Sequence, residues 1–327
     1  APAPGARADA RDRLMTLATA TPRRGHGRRR AVLVGAAACT VALAATATVR
    51  VAFPGDPGLE RADAATVRAL ETGARAAEAQ PPPPLLTPGR YLYTHSRGLS
   101  MVTSVGNDGA STSYLVRSDR RSWIGGDGTL RLVGRSEPAR FLAGDPAVWR
   151  AEARRMRETP GPSEDRGPAA LLSDIFRQAG ARDAALAARA DDPEAAADLL
   201  REAAPRYGGQ PTEEEMFTMV GDGLRESTFS PRARAALFRA AAYIPGVELV
   251  GRTTDPLGRD GLAVARTADG TRKELVFDPR TSALLAERDV LAEPVAWLPG
   301  VPPGTVTGHT VYVTSAIVDS DTAEPRP

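Results

Sequence analysis

The chain has 327 residues, of which 42% are hydrophobic and 25% are charged, and this composition is typical of a globular protein with a substantial core. Residues 1–30 carry a net charge of +6, so the remaining residues carry −4, since the whole chain carries +2. This distribution speaks against nucleic-acid binding by the main part of the chain. The single cysteine, Cys39, excludes a disulfide within the chain and a metal site built from cysteines.

An apolar segment, Ala31 to Val49, follows a cluster of arginines. Its 19 uncharged residues would form a helix of about 28 Å, close to the hydrocarbon core of a bilayer. By the positive-inside rule the cluster holds the N-terminus in the cytoplasm. Its members are Arg23, Arg24, Arg28, Arg29 and Arg30. The sequence therefore predicts a basic cytoplasmic tail over 1–30, a single transmembrane helix over 31–52 and an extracytoplasmic domain, which places the protein in the cell membrane.

Three other interpretations of the apolar segment remain open. Ala45-Thr46-Ala47 has the small-x-small form of a signal-peptide cleavage site. Small residues precede Cys39, as they do at a lipidated cysteine, but the large aliphatic residue expected three positions earlier is missing. Arg29-Arg30 resembles a twin-arginine signal. We expect the uncleaved anchor, because the basic region is long for a signal peptide and the apolar run continues beyond Cys39.

Residues 53–84 are predicted to form a helical stalk and a proline-rich linker. Leu59 to Ala79 has helical composition, with apolar residues at three- and four-residue steps. Pro81 to Pro84 ends this helix, because proline cannot continue one. A helix that lies on the domain is the alternative. We expect the globular domain to cover 85–318 and the tail 319–327 to be disordered.

From Gly89 onward, alternating apolar residues predict short strands separated by turns. The first group comprises Arg90 to Arg97, Ser113 to Val116, Ser122 to Ile124 and Thr129 to Val133, with a hairpin at Gly125 to Gly128. The second group comprises Val247 to Thr253, Leu262 to Arg266, Arg272 to Phe277, Leu284 to Val290 and Val306 to Val318. Both groups read as antiparallel meanders.

Between about 145 and 245 the sequence has helical signals instead. Asp145-Pro146 and Ser230-Pro231 are typical helix starts, and Thr212 with Glu215 forms a capping box. Thr159 to Gly167 is predicted to be a loop. Because helices separate two groups of strands, we predict an α+β fold. A twisted, half-barrel-like antiparallel sheet would join both groups, and the helical insertion would cover one face.

The sequence has few candidates for catalytic or metal-binding residues. His95 and His309 fall on separate strands and lack the spacing to a carboxylate that is typical of metal sites. We interpret them as polar strand residues, with a metal or proton-transfer pair as the alternative. Glu213-Glu214-Glu215 occupies a first helical turn, where negative charge favours the helix dipole. We therefore predict no catalytic residue, no cofactor-binding residue and no metal ligand.

Two further features have structural and functional interpretations. The three tryptophans are predicted to pack in or beside the core, with a ligand groove as the alternative; they are Trp123, Trp149 and Trp297. Met216 to Ile244 comprises two helices with a short break, the arrangement of a helix-turn-helix. The outward topology and near-neutral charge of this region speak against DNA as a ligand.

Several segments together resemble a family of actinobacterial single-pass membrane proteins that has no assigned activity. They are the basic tail before an alanine-rich span, GRYLYT, RSWIGGDG, SPRARAALFRAAAYIPGVELVGRTTDPLGRDGLAV and ELVFDPRTSALLAERDVL. The strands around FDPRTSALL are also similar to the half-barrel of lipoprotein carriers and of periplasmic regulators of sigma factors. That similarity implies a concave sheet that binds acyl chains or a partner peptide, although the long helical block departs from it.

The expected function is a non-enzymatic, membrane-anchored extracytoplasmic binding or sensing protein with a signalling role. Its candidate partners are the membrane through the Ala31 to Val49 helix, a hydrophobic ligand or an envelope protein, and a cytoplasmic regulator at the N-terminal tail. A lipid or lipoprotein carrier with a hydrophobic concave sheet is the alternative. An envelope hydrolase is the third interpretation.

Overall fold

The computed structural model describes residues 62–106, 109–158, 161–167, 182–207, 210–225 and 228–325. The basic tail, its orienting arginines and the apolar segment lie outside these ranges. Within them, no helix is both long enough and apolar enough to cross a bilayer.

Nine strands of the described ranges form one open antiparallel sheet in the order β4-β3-β2-β1-β9-β8-β7-β6-β5. The strands are β1 (Tyr91–Val105), β2 (Ser111–Gly125), β3 (Leu130–Ala143), β4 (Ser163–Gly167), β5 (Val247–Thr254), β6 (Asp260–Ala268), β7 (Thr271–Phe277), β8 (Leu284–Leu291) and β9 (Val306–Val318). The first and last strand groups join where β1 pairs with β9, which brings Leu99 opposite His309. The prediction of an α+β fold with one antiparallel sheet is confirmed.

The strands β1 to β3 are much longer than their hydrophobic pattern predicts. The predicted pieces Ser113 to Val116 and Ser122 to Ile124 belong to one strand, because the charged stretch between them continues the pairing with β1. The middle of β2 carries Arg117, Asp119 and Arg121 on one face and Ser118, Arg120 and Ser122 on the other. Apolar alternation is therefore lost while the backbone ladder continues. The loop predicted over Thr159 to Gly167 is wrong in its second half, where β4 pairs with β3.

In the described part of the chain, five helices precede or interrupt the sheet, together with a short helical segment at 182–187. They are α1 (Ala64–Glu78), α2 (Pro146–Glu158), α3 (Pro193–Tyr207), α4 (Thr212–Arg225) and α5 (Pro231–Ala241). The Asp63 carboxylate caps α1, and the Ser230 hydroxyl caps α5 just before a proline. The helix α4 begins one residue earlier than the predicted capping box requires. Thr212 is already helical, and the Glu215 amide donates to the carbonyl of Pro211.

The main core lies between the sheet half β5–β8 and the helices α1, α3, α4 and α5. Phe238 of α5 packs edge-on against Phe277 of β7, with ring centroids 4.9 Å apart. A Cβ atom on Gly73 would lie 2.7 Å from the Phe238 ring, and one on Gly223 would lie 2.4 Å from Leu237. Side chains therefore fill this interface closely.

The helix α1 belongs to the folded domain and is not a stalk that precedes it. Leu70 is 1% exposed in the core, and the Thr66 hydroxyl accepts a 2.8 Å hydrogen bond from the Leu249 amide in β5. Arg239 of α5 bonds to Glu71 at 3.0 Å and to Glu78 at 2.6 Å. Of the two interpretations of this helix, the structure shows the one that lies on the domain, so the domain begins before residue 85.

Candidate functional site

The sheet has a second face, which points away from α1, α3, α4 and α5. Leu275 and Phe277 pack against those helices, so Val276 between them points to the other side. Cross-strand pairing continues this row through Ala286, Val311, Arg97, Asp119 and Arg135. Because directly paired residues share a face, the charged residues of β1–β3 in this row lie on the side away from these helices.

Arginines dominate this side of β1–β3. We call it the arginine face and define it by Arg97, Arg117, Arg121 and Arg135 together with His95 and Asp119. Asp119 is the shared partner of three of these residues. Its carboxylate lies 3.0 Å from His95 Nε2, 3.2 Å from Arg97 Nε and 4.0 Å from Arg121 Nη1. One carboxylate thus serves an imidazole and two guanidinium groups.

The arginine face has one arginine more than the carboxylates that contact it, because Asp119, Glu137 and Glu324 pair with Arg97, Arg135 and Arg121 and leave Arg117. Arg135 pairs with Glu137 at 3.3 Å, but both side chains are more than half exposed. Arg117 is exposed and forms no ion pair with any residue that the structure describes. Exposed ion pairs contribute about 1 kcal/mol or less to stability, so the fold itself has little need for these arginines.

A cleft of about 240 Å³ lies beside Arg135, between β3 and the end of α2. Its lining includes Glu137, Met156 and Arg157 and is mainly polar. This shallow cleft lies at the edge of the sheet, where Arg135 and Glu137 of β3 border it.

His309 lies on the same side of the sheet, in the row of Leu99 and Arg117, but does not meet His95. Its partners across the sheet are Leu99 and Arg288, and burial, Arg288 and Arg117 lower its pKa. His95 is four residues from Leu99 along β1, which corresponds to about 13 Å. The histidine pair considered as an alternative is therefore not formed. Across the described ranges, no group of three or more His, Cys, Asp or Glu side chains is arranged to hold a metal ion.

An aromatic patch continues the arginine face toward the start of β1. Tyr93 and Trp123 pack edge-on with centroids 5.2 Å apart, and the Arg131 guanidinium lies 4.7 Å from the centre of the Trp123 ring. Both aromatic side chains are buried, at 1% and 3% exposure. They are buried because the chain after β9 folds back over them and packs Ala323 against the cluster.

We call residues 319–325 the acidic segment. Trp123 Nε1 donates a 2.7 Å hydrogen bond to the carbonyl of Ala323, and Arg131 Nη1 donates a 2.8 Å hydrogen bond to that of Asp321. Its carboxylates add three ion pairs: Asp319 with Arg90 at 3.0 Å, Asp321 with Arg166 at 2.8 Å and Glu324 with Arg121 at 3.4 Å. The composition of this segment predicts disorder, but the sheet supplies the donors that hold it in place.

A second polar cluster ties α4 to the opposite face of the sheet. Arg225 donates to Glu287 at 2.7 Å and to the Tyr312 hydroxyl at 2.6 Å, and Tyr312 donates to Glu287 at 2.6 Å. Arg225 also pairs with Asp222 at 2.8 Å. Burial lowers the pKa of Arg225, but Glu287, Tyr312 and Asp222 outweigh it and hold that pKa well above its usual value. This mutual satisfaction indicates a structural tie.

The other residues singled out from the sequence are dispersed. Trp149 of α2 packs 5.0 Å from Tyr114, whereas Trp297 is 39% exposed in a loop, so the three tryptophans do not line one groove. Glu213, Glu214 and Glu215 do occupy the first turn of α4. The helices α4 and α5 are packed into the core, and most residues of α5, the second helix of the pair, are buried. This second helix therefore has little surface to offer to DNA.

No family model matches the chain, and no curated protein matches its sequence. The arginine face was missed from the sequence because RSDRR at 117–121 looks like a polar loop. Its signal was the alternation of Arg117, Asp119 and Arg121, which places three charges on one side of a strand.

Proposed function

We propose that the chain is a non-enzymatic, membrane-tethered extracytoplasmic binding protein with a regulatory role, and that it binds an acidic partner protein on the arginine face. The observation that supports this most strongly is the excess of positive charge on that face. Outside residues 1–30 the chain carries −4, so the face contrasts with the rest of the domain. Such local charge favours encounter with, and selection of, a partner of opposite charge.

The setting of His95 supports binding over catalysis. Its described hydrogen bond goes to Asp119, which is also shared with Arg97. Among the described residues, no serine, threonine or cysteine donates a hydrogen bond to the His95 ring, as a nucleophile activated by that base would. In our proposal, the cluster of His95, Asp119 and Arg97 acts as a fixed polar recognition element.

The tether places this face near the membrane. If the transmembrane helix covers 31–52, nine residues, 53–61, separate it from the first described residue, 62. A fully extended chain of that length spans roughly 35 Å. The domain therefore stays close to the outer surface of the membrane, where it would meet other envelope proteins, while the N-terminal tail remains available to a cytoplasmic regulator.

The lipid or lipoprotein carrier receives less support. A carrier needs an apolar cavity large enough for acyl chains, but the helices and β5–β8 are closely packed against each other at Phe238 and Phe277. A cavity of about 270 Å³ among α1, α3 and α5 has a mixed lining that includes Glu71, Asp191 and Arg239. The half-barrel similarity thus favours peptide binding over acyl-chain binding in our proposal.

The test is photo-crosslinking in living cells with the full chain. A photoreactive amino acid replaces Glu137, which is exposed on β3 beside Arg117, or Ala151, which is exposed on α2. We expect a discrete protein adduct from position 137 and none from position 151. The adduct should disappear in an Arg97→Glu, Arg117→Glu variant.

The matched control is Arg150→Glu, Arg154→Glu, which reverses two exposed arginines on α2. It should leave the adduct unchanged. Loss of the adduct in both variants, or in neither, would contradict binding through the arginine face.

A further inference from the structure

We propose that the surface formed by Tyr93, Trp123 and Arg131 is a docking site for a short acidic peptide segment of the partner protein, which binds there by displacing the acidic segment 319–325. This inference rests on the proposed function and names the ligand chemistry and the regulation of the same side of the sheet. The acidic segment is then a competitor built into the chain.

The first line of support is that the site already recognises polypeptide backbone. Two main-chain carbonyls, those of Asp321 and Ala323, are bound by Arg131 and Trp123 at 2.8 and 2.7 Å. A backbone carbonyl is present in every peptide, so these donors would serve another chain equally well. Side-chain donors that read carbonyls beside an aromatic surface are typical of peptide recognition.

The second line of support is charge. The arginines around the aromatic pair each contact a different carboxylate of the acidic segment: Arg90 with Asp319, Arg166 with Asp321 and Arg121 with Glu324. This spacing selects a peptide with several acidic residues in a short turn. The segment forms such a turn locally, because Ser320 Oγ accepts from the Ala323 amide at 3.1 Å.

The third line of support is that the contacts are exchangeable. The side chains of Asp319 and Glu324 are 86% and 53% exposed, and that of Arg166 is 60% exposed. Ion pairs at such exposure are weak and are screened by salt. The segment follows β9 directly, so its local concentration at the site is high, and it competes through proximity more than through affinity.

The docking site and the arginine face are continuous. Arg121 contacts Glu324 of the acidic segment on one side and lies 4.0 Å from Asp119 on the other. Trp123 is two residues further along β2 and shares the same face. A partner that lies on the arginine face would therefore reach the acidic segment and release it.

The experiment measures binding of a fluorescent peptide, DSDTAEP, to the chain in lipid nanodiscs by fluorescence anisotropy. The peptide copies residues 319–325. We compare the complete chain with a chain that ends at Val318. We expect saturable binding to the shortened chain and at least tenfold weaker binding to the complete chain, because its own segment competes. The amide peptide NSNTAQP should bind neither chain.

A double substitution is the control for misfolding of the shortened chain. Asp321→Asn, Glu324→Gln in the complete chain weakens the acidic segment without removing it, and it should bind the peptide at least threefold more tightly than the unmodified chain. Adding Trp123→Phe should reduce that binding. Equal peptide binding by the complete and the weakened chains, or no binding by a weakened chain that still unfolds cooperatively, would overturn the docking site.

The outcome is separable from that of the proposed function. If the peptide fails to bind while the adduct from position 137 persists and depends on Arg97 and Arg117, the arginine face is a binding surface and only the docking site is wrong. If both fail, the proposed function is wrong as well.

Discussion

The indole Nε1 of Trp123 donates a 2.7 Å hydrogen bond to the carbonyl oxygen of Ala323, which lies 200 residues further along the chain. This bond fixes the acidic segment on the same side of the sheet as the arginine face. It also explains why a tryptophan that directly follows a polar stretch of β2 is 3% exposed. Release of the segment would uncover an aromatic surface between arginines.

We expect Trp123→Phe to lower the free energy of unfolding by about 1 kcal/mol, because one partly buried hydrogen bond is lost while the ring packing is largely retained. Hydrogen exchange in residues 319–325 should increase strongly. Denaturant unfolding and exchange mass spectrometry measure the two effects. Trp297→Phe, in an exposed loop, is the control and should change neither; unchanged exchange in Trp123→Phe would mean that the bond does not hold the segment.

We expect Arg239→Met to destabilise the domain by about 2 kcal/mol. Arg239 is 16% exposed and joins α5 to α1 through Glu71 and Glu78, so its loss leaves two carboxylates without their main partner. The control Arg232→Met breaks an exposed pair with Asp191 and should cost less than about 1 kcal/mol. Equal effects in denaturant unfolding would show that α1 is not anchored in this way.

The ion pair between Arg239 and Glu71 makes the stability of the domain depend on pH in the acid range. The hydrogen bond from Arg239 lowers the pKa of Glu71 in the folded state, despite the opposing effect of burial. Its stabilising contribution is therefore present above the ordinary carboxyl pKa and is lost as the pH falls through the folded value. Glu71→Gln should lose less stability than the unmodified chain between pH 6 and pH 3. Glu202→Gln, exposed on α3, is the control and should follow the unmodified chain.

Tyr114 makes the stability of the domain depend on pH in the alkaline range. Burial, followed by the nearby Glu152 carboxylate, raises the pKa of Tyr114 to about 12. Because the neutral phenol is favoured in the folded state, this contribution is complete below pH 10 and is lost as the pH rises toward 12. The loss amounts to at most about 3 kcal/mol. Between pH 9 and pH 11, the free energy of unfolding should decrease less for Tyr114→Phe than for the unmodified chain. Identical decreases would contradict the assignment to Tyr114.

The sequence predicts the sheet better where one face is apolar. In β6–β8 the alternation of Val264, Leu275 and Phe277 follows the helix-covered face, and the predicted strands fall close to the observed ones. In β1–β3 both faces are polar over much of their length, so only the backbone ladder defines them. The joining of the two strand groups follows from chain order and is confirmed by the β1–β9 pairing.

The candidate site was harder to predict for a physical reason. Its residues come together through strand register, and Asp119 meets His95 and Arg97 only because β1 and β2 pair over 15 residues. The acidic segment has a disordered composition when considered alone, since its order depends on donors from Trp123 and Arg131. Local composition carries neither kind of information.

The most direct measurement is the rate at which a membrane-impermeant maleimide modifies Glu137→Cys in intact cells, with Ala151→Cys as the reference and the unmodified chain as the background for Cys39. The account predicts that both positions react from outside, that position 137 reacts more slowly because a partner covers it, and that Arg97→Glu, Arg117→Glu removes this protection at position 137 alone. Labelling of both positions only after lysis, or an unchanged rate at position 137 in the reversed variant, would contradict it.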